Sequence, residues 1–178
     1  MDFAEIKLLI LDVDGVLTDG RVTPAYTPTE PDTATPVCDE GKRFHVRDGC
    51  VLKLWHQAGG RTAILSGRTS VDVTNRAAEL GIEIVRMGKP RKISAYEEVC
   101  THASCQDAEV AYVGDDLPDL GPMMRCALPI AVRDAASPVK RVARYVTSRR
   151  GGAGAVAEAV EWVLRKQRRW PGPRLFKI

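Results

Sequence analysis

The chain has 178 residues, of which 44% are hydrophobic and 28% charged, and its formal net charge is +3 at pH 7. A chain of this length fits one domain with a substantial core, because such a domain buries roughly 70% of its unfolded surface. The charge is too small to indicate a nucleic-acid partner. No apolar run approaches the roughly 20 residues that cross a bilayer, so we expect neither a nucleic-acid nor a membrane partner.

The N-terminal residues and the cysteines both favour a cytoplasmic protein. The first ten residues, MDFAEIKLLI, lack the basic start and the small-residue cleavage site of a signal peptide. The five cysteines are odd in number and have no CxxC or Cys/His spacing of a zinc site. We therefore expect reduced thiols in the cytoplasm.

Short apolar runs alternate with longer segments of helical period. The predicted strands are, in chain order, IKLLILDV, RTAILS, IEIVR, AEVAYVG, ALPIAV and ARYVT. The predicted helices are Gly49–Ala58, Ser70–Leu80, Lys92–Ala103, Leu117–Arg125, Pro138–Val142 and Ala153–Lys166. This alternation, with strands that are apolar on both faces, is typical of a sheet covered by helices on each side. We predict a doubly wound, Rossmann-like α/β fold with a mostly parallel sheet, in a single domain over residues 1–178.

The segment 21–43 differs from the rest of the chain, with prolines at positions 24, 28, 31 and 36. Proline at this density is incompatible with a central strand or a helix. The segment is therefore either a tolerated surface insertion or a projecting hairpin that forms a flap over a site.

Polar residues follow the ends of four predicted strands. In strand order they are Asp12 and Asp14; Ser66, Gly67 and Arg68; Lys89 and Lys92; and Asp115, Asp116 and Asp119. Ligands of an open α/β sheet bind outside the carboxyl ends of its strands. We therefore expect these residues to converge on one site.

The predicted chemistry follows from the types of these residues. Carboxylates from two strand ends form a hard-oxygen site suited to Mg²⁺, which would offset the repulsion between them and attract a phosphate dianion. Asp12 is the predicted nucleophile, which would form an aspartyl-phosphate, and Asp14 is the predicted general acid and base. Ser66 and Lys92 would hold the phosphoryl oxygens, aided by the dipole of the helix that Lys92 opens.

Each motif taken alone has a simpler structural explanation. The DxD pair at a strand end is often only turn chemistry. The stretch 66–68 is also typical of a turn or a helix cap, and Asp115–Asp116 of a cap on the next helix. Lys92 alone is most simply a solvated charge. The convergence of all four on one sheet edge is what favours a site.

Four motifs occur in the order typical of the haloacid dehalogenase-like phosphatases: DVDGVLTDG, LSGR, the second lysine of GKPRK, and VGDDLPDL. The chain resembles the capless 3-deoxy-D-manno-octulosonate 8-phosphate phosphatases of this superfamily more closely still. The stretches FHVRDG, AILSGRTS, RAAELGI, ISAYEEV and VTSRRGGAGAV carry that resemblance, from about residue 6 to residue 164. It implies hydrolysis of this sugar-acid phosphate, a step of lipopolysaccharide biosynthesis, by a domain without a cap.

The resemblance also implies roles for the acidic residues. Asp12 would be the nucleophile and Asp14 the acid and base. The Mg²⁺ ligands would be Asp12, the backbone carbonyl of Asp14, and Asp115. Asp116 and Asp119 would orient the groups that hold the metal.

For the remaining residues, the resemblance implies that Ser66 and Lys92 bind phosphate and that Arg68 binds the substrate carboxylate, which its fork of donors suits. The resemblance further implies a homotetramer, in which a hairpin and parts of neighbouring subunits would close the site; this fits a flap at 21–43. Ala153 stands where relatives commonly have arginine, so the substrate contact of that arginine is either missing here or made by Arg149 or Arg150. The basic tail 167–178 is either a solvated end or a segment packed on a neighbouring subunit.

Three alternatives remain. Relatives act on nine-carbon 2-keto-3-deoxy sugar acid 9-phosphates, although the Ser-Gly-Arg sequence at 66–68 favours the eight-carbon branch. A catalytically silent oligomerisation module would have no need of Asp12, Asp14, Lys92 and Asp115 together. A signalling receiver domain would carry its phospho-acceptor on a middle strand, whereas this chain has DxDG after the first.

Overall fold

The computed structural model describes residues 5–22, 41–89 and 91–171. Most of the predicted flap, residues 23–40, and the end of the predicted tail, residues 172–178, lie outside the described residues. No helix among the described residues is long and apolar enough to cross a membrane.

Among the described residues, six strands form one sheet in which every neighbouring pair is parallel, in the order β3-β2-β1-β4-β5-β6. They are β1 (Leu8–Leu11), β2 (Arg61–Leu65), β3 (Ile84–Arg86), β4 (Val110–Gly114), β5 (Leu128–Ala131) and β6 (Tyr145–Val146). Every residue of β1 and β4 is buried, as parallel strands covered on both faces require. The prediction of a doubly wound, Rossmann-like α/β fold is confirmed.

Helices cover the sheet in two groups. They are α1 (Val46–Gln57), α2 (Val71–Leu80), α3 (Lys92–Ala103), α4 (Leu120–Arg125), α5 (Ser137–Val142) and α6 (Ala155–Lys166). α1 packs against α6 and α2, whereas α4 packs against α3 and α5. No separate cap domain covers the edge of the sheet within the described parts of the chain.

Three helices begin two or more residues away from the predicted position. α1 begins at Val46, three residues early, because His45 Nδ1 accepts the Arg47 N–H at 3.2 Å and caps the helix. α6 begins at Ala155, two residues late, because Gly154 has a φ of +92°, outside the helical region. The helix predicted from Leu117 divides into a 3₁₀ turn, Leu117–Asp119, followed by α4.

The order of the strands places a crevice between β1 and β4. The central strand β1 pairs with β2 on one side and β4 on the other, with Leu11 opposite Ile64 and Val113. From β1 the chain adds β2 and then β3 on one side; it then returns to the other side of β1, where it adds β4, β5 and β6. Ligands of doubly wound folds bind at such a switch point, beyond the carboxyl ends of the strands.

Candidate active site

Asp12 lies directly after β1 and is only 5% exposed. Its N–H donates to the Val113 carbonyl of β4 at 3.1 Å, which extends the pairing of the two strands by one residue. The carboxylate is therefore held at the switch point by two central strands. This rigidity suits a group that must attack along a fixed line.

The next five residues, Val13–Leu17, form a single wide turn, here named the β1 turn. The Thr18 N–H closes it on the Val13 carbonyl at 3.0 Å, and Gly15 within it has a φ of +86°. A Cβ atom on Gly15 would lie 2.0 Å from Asp115 Oδ2, so the Asp115 side chain fills the space that glycine leaves. The turn leaves Asp14 half-buried beside the predicted metal site. The simpler explanation of the DxD pair, a turn after the strand, is therefore correct. The same turn also brings the acids that follow β1 and β4 together.

Lys92, the first residue of α3, is 5% exposed and bridges two acids. Its Nζ lies 2.7 Å from Asp12 Oδ1 and 2.7 Å from Asp119 Oδ1. Burial alone would lower the pKa of this lysine, but the two carboxylates outweigh burial and raise it. Lys92 is therefore a buried cation and not the solvated charge that was considered for it; Lys89, beside Glu98, is the more exposed lysine.

Asp119 is fully buried and orients its neighbours. Its Oδ1 accepts from Lys92 Nζ and from the Tyr112 hydroxyl, both at 2.7 Å. Its Oδ2 accepts the backbone N–H groups of Asp115 at 3.0 Å and Asp116 at 3.2 Å. With two donors on each oxygen, Asp119 has its accepting capacity filled. It holds the start of the loop that carries Asp115.

Asp116 is exposed and is the N-cap residue of the 3₁₀ turn Leu117–Asp119, which agrees with the capping alternative for that residue. Asp115 instead turns toward Asp12. Gly114, just before it, allows this path, because a Cβ atom there would lie 2.7 Å from Cβ of Asp119.

In the described part of the chain, one oxygen from each of Asp12, Asp115 and Asp119 lies within 4.8 Å of the others, so these carboxylates form a group that could hold a metal ion. Asp115 Oδ1 is buried and has no hydrogen-bond partner among the described residues. Burial and the Asp119 charge raise the pKa of Asp12 to about 6, and burial with the charges of Asp12 and Asp119 raises that of Asp115 to about 8. The cluster therefore lacks positive charge, and a divalent ion that prefers oxygen ligands, such as Mg²⁺, fits it.

Ser66, directly after β2, is buried, and its N–H donates to the Arg86 carbonyl at 2.8 Å. Its Oγ accepts the Arg68 N–H at 3.2 Å, so the stretch 66–68 is indeed a turn. The hydroxyl proton remains suited to a phosphoryl oxygen. The Arg68 side chain is exposed at the same edge of the sheet.

Lys42 is a site residue that the sequence analysis missed. Its Nζ forms an ion pair with Asp14 Oδ1, its side chain is 6% exposed, and its N–H donates to Asp72 Oδ2 at 2.7 Å. Tyr112, which bonds Asp119, was also missed. Lys42 lies at the end of the proline-rich segment 21–43 and Tyr112 lies inside a strand, so neither stands directly after a predicted strand, the position from which site residues were predicted.

Residues 87–160 match the family described as haloacid dehalogenase-like hydrolase. A curated relative from Yersinia pestis, named 3-deoxy-D-manno-octulosonate 8-phosphate phosphatase, is 37% identical over 169 residues, which span 95% of this chain and 85% of the relative.

Solved structures are similar over nearly the whole chain. The crystal structure of the Y. pestis phosphatase has a TM-score of 0.86 and 36% identity, with 96% of this chain and 87% of that one covered. The phosphatase of the same name from Moraxella catarrhalis, solved with magnesium, phosphate and the sugar acid Kdo, has a TM-score of 0.85 and 32% identity, with 98% and 95% covered.

Proposed function

Because the chain belongs to the family of 3-deoxy-D-manno-octulosonate 8-phosphate phosphatases, we propose that it hydrolyses this eight-carbon sugar-acid phosphate to Kdo and phosphate. The observation that carries the proposal is the buried arrangement at the switch point: Asp12 bonded to Lys92, with Asp115 beside it offering an unpartnered oxygen. A silent module would have no reason to keep such a costly cluster.

In the proposed mechanism the Asp12 carboxylate attacks phosphorus as Asp14 donates a proton to the leaving sugar oxygen. The ester P–O bond breaks, and the phosphoryl group is left on Asp12. Asp14, now a base, takes a proton from water; the water attacks phosphorus and releases phosphate, which restores Asp12. Lys42, paired with Asp14, keeps that carboxyl group directed to one place.

We assign Mg²⁺ to Asp12, the Asp14 carbonyl and Asp115, with Asp119 and Asp116 orienting them. When bound, the ion supplies positive charge that offsets the carboxylates and the phosphate dianion. Lys92 and Ser66 would bind phosphoryl oxygens of the substrate. Before substrate binds, the carboxylates of Asp12 and Asp119 balance the positive charge of Lys92.

Arg68 is the proposed partner of the substrate carboxylate, since it is an exposed residue at the edge of the sheet where β2 ends and its fork of donors suits a carboxylate. Arg149 and Arg150 are exposed as well, and the Arg149 side chain lies over Gly154. We further propose that the protein is a single catalytic domain that works in the cytoplasm as a homotetramer, for lipopolysaccharide biosynthesis.

The direct test is phosphate release by the purified protein with Mg²⁺. The substrates to compare are Kdo 8-phosphate, nine-carbon sugar-acid 9-phosphates and a simple phosphomonoester. We expect preference for Kdo 8-phosphate and a fall in rate of at least about 10³-fold in Asp12→Asn, because the covalent route needs that nucleophile. Asp107→Asn is the matched control: this acid lies before β4, at the opposite edge of the sheet, and pairs with Arg125.

Preference for a nine-carbon acid would retain the mechanism and change the substrate. No release from any phosphate ester would refute the proposal and favour the silent module. Full activity of Asp12→Asn would refute the mechanism alone.

A further inference from the structure

The loop 148–152, part of the connection from β6 to α6, packs directly against the β1 turn. The Gly152 N–H donates to the Val16 carbonyl at 3.0 Å. A Cβ atom on Gly151 would lie 1.7 Å from the Gly15 carbonyl oxygen, and one on Gly152 would lie 2.4 Å from the Asp19 nitrogen. The two backbones therefore touch at positions where only glycine fits.

The position of this loop bears on the catalytic groups because Gly15 lies between them. Gly15 directly follows Asp14, and Asp115 Oδ2 fills the space beside its Cα. Any displacement of the Gly15 carbonyl by the loop would move the Asp14 backbone and the contact with Asp115. The loop 148–152 therefore braces the β1 turn from outside the reacting centre.

Glu158, in the first turns of α6, holds the beginning of this loop with both carboxylate oxygens. Oε1 accepts the Ser148 N–H at 2.7 Å and the Tyr145 hydroxyl at 2.8 Å. Oε2 accepts the Ser148 hydroxyl at 2.8 Å and the Arg149 N–H at 3.0 Å. Burial would raise the pKa of Glu158, but these hydrogen bonds outweigh it and lower the pKa, so the group is ionised at neutral pH. Three of its four donors belong to the loop.

Two further bonds fix the rest of the loop. The Gly151 N–H donates to Asp134 Oδ1 at 3.0 Å, and the Thr147 hydroxyl donates to the Arg149 carbonyl at 2.7 Å. A continuous path of hydrogen bonds and backbone contacts thus leads from Glu158 to the β1 turn.

We propose that Glu158 is a positioning residue for the phosphatase reaction: it fixes the loop 148–152, and through Gly151 and Gly152 it fixes the turn that carries Asp14. The hydrogen bonds of Glu158 go to Tyr145, Ser148 and Arg149 and not to the proposed metal ligands. The inference rests on the function proposed above, because it concerns the geometry of that reaction.

The test compares three variants on the same β6–α6 framework. Glu158→Gln keeps the size of the side chain, but its NH₂ group faces a backbone N–H in either orientation, since each oxygen accepts one. Tyr145→Phe removes the one donor that lies outside the loop and leaves the three loop donors. Glu161→Gln, on the same helix, removes only an exposed pair with Arg165.

We expect Glu158→Gln to lower kcat about 10- to 100-fold while KM changes less than about threefold, because small displacements of a catalytic group cost rates of this size. Tyr145→Phe should lower the melting temperature about as much as Glu158→Gln does, because it also removes a hydrogen bond from α6. It should retain kcat within about threefold, because the three bonds from Glu158 to the loop remain. Glu161→Gln should match the wild type. Equal falls of kcat in Glu158→Gln and Tyr145→Phe, or an unchanged kcat in Glu158→Gln, would overturn the inference.

Each variant is assayed with both Kdo 8-phosphate and p-nitrophenyl phosphate, and each fold is checked by circular dichroism. If the wild type hydrolyses only p-nitrophenyl phosphate, the proposed substrate is refuted. The kcat of each variant relative to the wild type on that ester still decides the role of Glu158. If Glu158→Gln does not fold, Ser148→Ala removes a single loop bond, and it should lower kcat more than Tyr145→Phe does. The reverse order would overturn the inference.

Discussion

Replacing Lys92 by methionine would leave two buried carboxylates without their shared cation. Asp12 and Asp119 each lie 2.7 Å from Nζ, and all three side chains are at most 8% exposed. Breaking a buried pair by removing one partner costs about 3–5 kcal/mol, because the remaining charge is uncompensated. In a protein of this size that corresponds to a fall in melting temperature of about 10 °C.

Lys89→Met is the matched control, because this lysine lies three residues before Lys92 but is exposed. Its Nζ lies 3.5 Å from Glu98 Oε1, and the two side chains are 42% and 47% exposed. Exposed pairs contribute about 0–1 kcal/mol. Both variants should be unfolded with urea at pH 7.5 in the presence of EDTA, so that no divalent ion replaces the missing charge. The difference between them in unfolding free energy isolates the effect of burial.

The destabilisation in Lys92→Met should also shrink at lower pH. Burial raises the pKa of Asp12 and Lys92 opposes that rise, so without the lysine this carboxyl group binds a proton more readily in the native state than in the unfolded chain, and the variant gains stability as the pH falls. If the two variants differ by less than about 1 kcal/mol at pH 7.5, the reasoning about the buried cluster is wrong.

Three further outcomes are expected. In the metal-free protein the pKa values of Asp12, about 6, and Asp115, about 8, lie above those of the unfolded chain, so stability falls as the pH rises from about 4 to 8. Mg²⁺ should therefore raise the melting temperature more at pH 8 than at pH 6. Equal shifts at the two pH values in scanning fluorimetry would contradict this. Gly15→Ala places a Cβ atom 2.0 Å from Asp115 Oδ2 and should lower kcat about 100-fold, whereas Gly41→Ala, whose Cβ atom would have no described residue within 4 Å, should be neutral in the same phosphate-release assay. Tyr112→Phe should lower the unfolding free energy by about 1.5–3 kcal/mol, measured with urea, because it removes a donor from a buried carboxylate; a change below about 0.5 kcal/mol would argue against that bond.

The sequence predicted much of this arrangement because strand ends in a parallel sheet share one edge. Asp12, Ser66 and Asp115 stand directly after apolar runs, and the six runs were all recognisable as strands. The residues that follow the first and fourth strands could be predicted to meet, because in a doubly wound sheet ligands bind at the carboxyl ends of the strands. The alternation also predicted a mostly parallel sheet, but the order of the strands came only from the structure.

Other contacts had no local signal. Lys42 reaches Asp14 across 28 positions from the end of a proline-rich stretch, and Glu158 sits on an amphipathic helix where a half-buried acid resembles any solvated residue. The glycines at 151 and 152 were noticed as part of a motif, but their contact with Gly15 depends on tertiary packing. Periodicity describes which face of an element is buried, but not which backbone groups meet at its ends.

The central position of β1 has a consequence for folding. Leu8 pairs with Arg61 on one side and with Val110 on the other, 102 positions along the chain. The acids of the metal cluster therefore meet only when segments far apart in the chain come together, and contacts of such long range form slowly. A partly folded chain that ends with β3 would hold Asp12 without Asp115. Acquisition of magnesium affinity during refolding would therefore report the docking of β4 onto β1, and a chain stalled before that step would lack the metal site altogether.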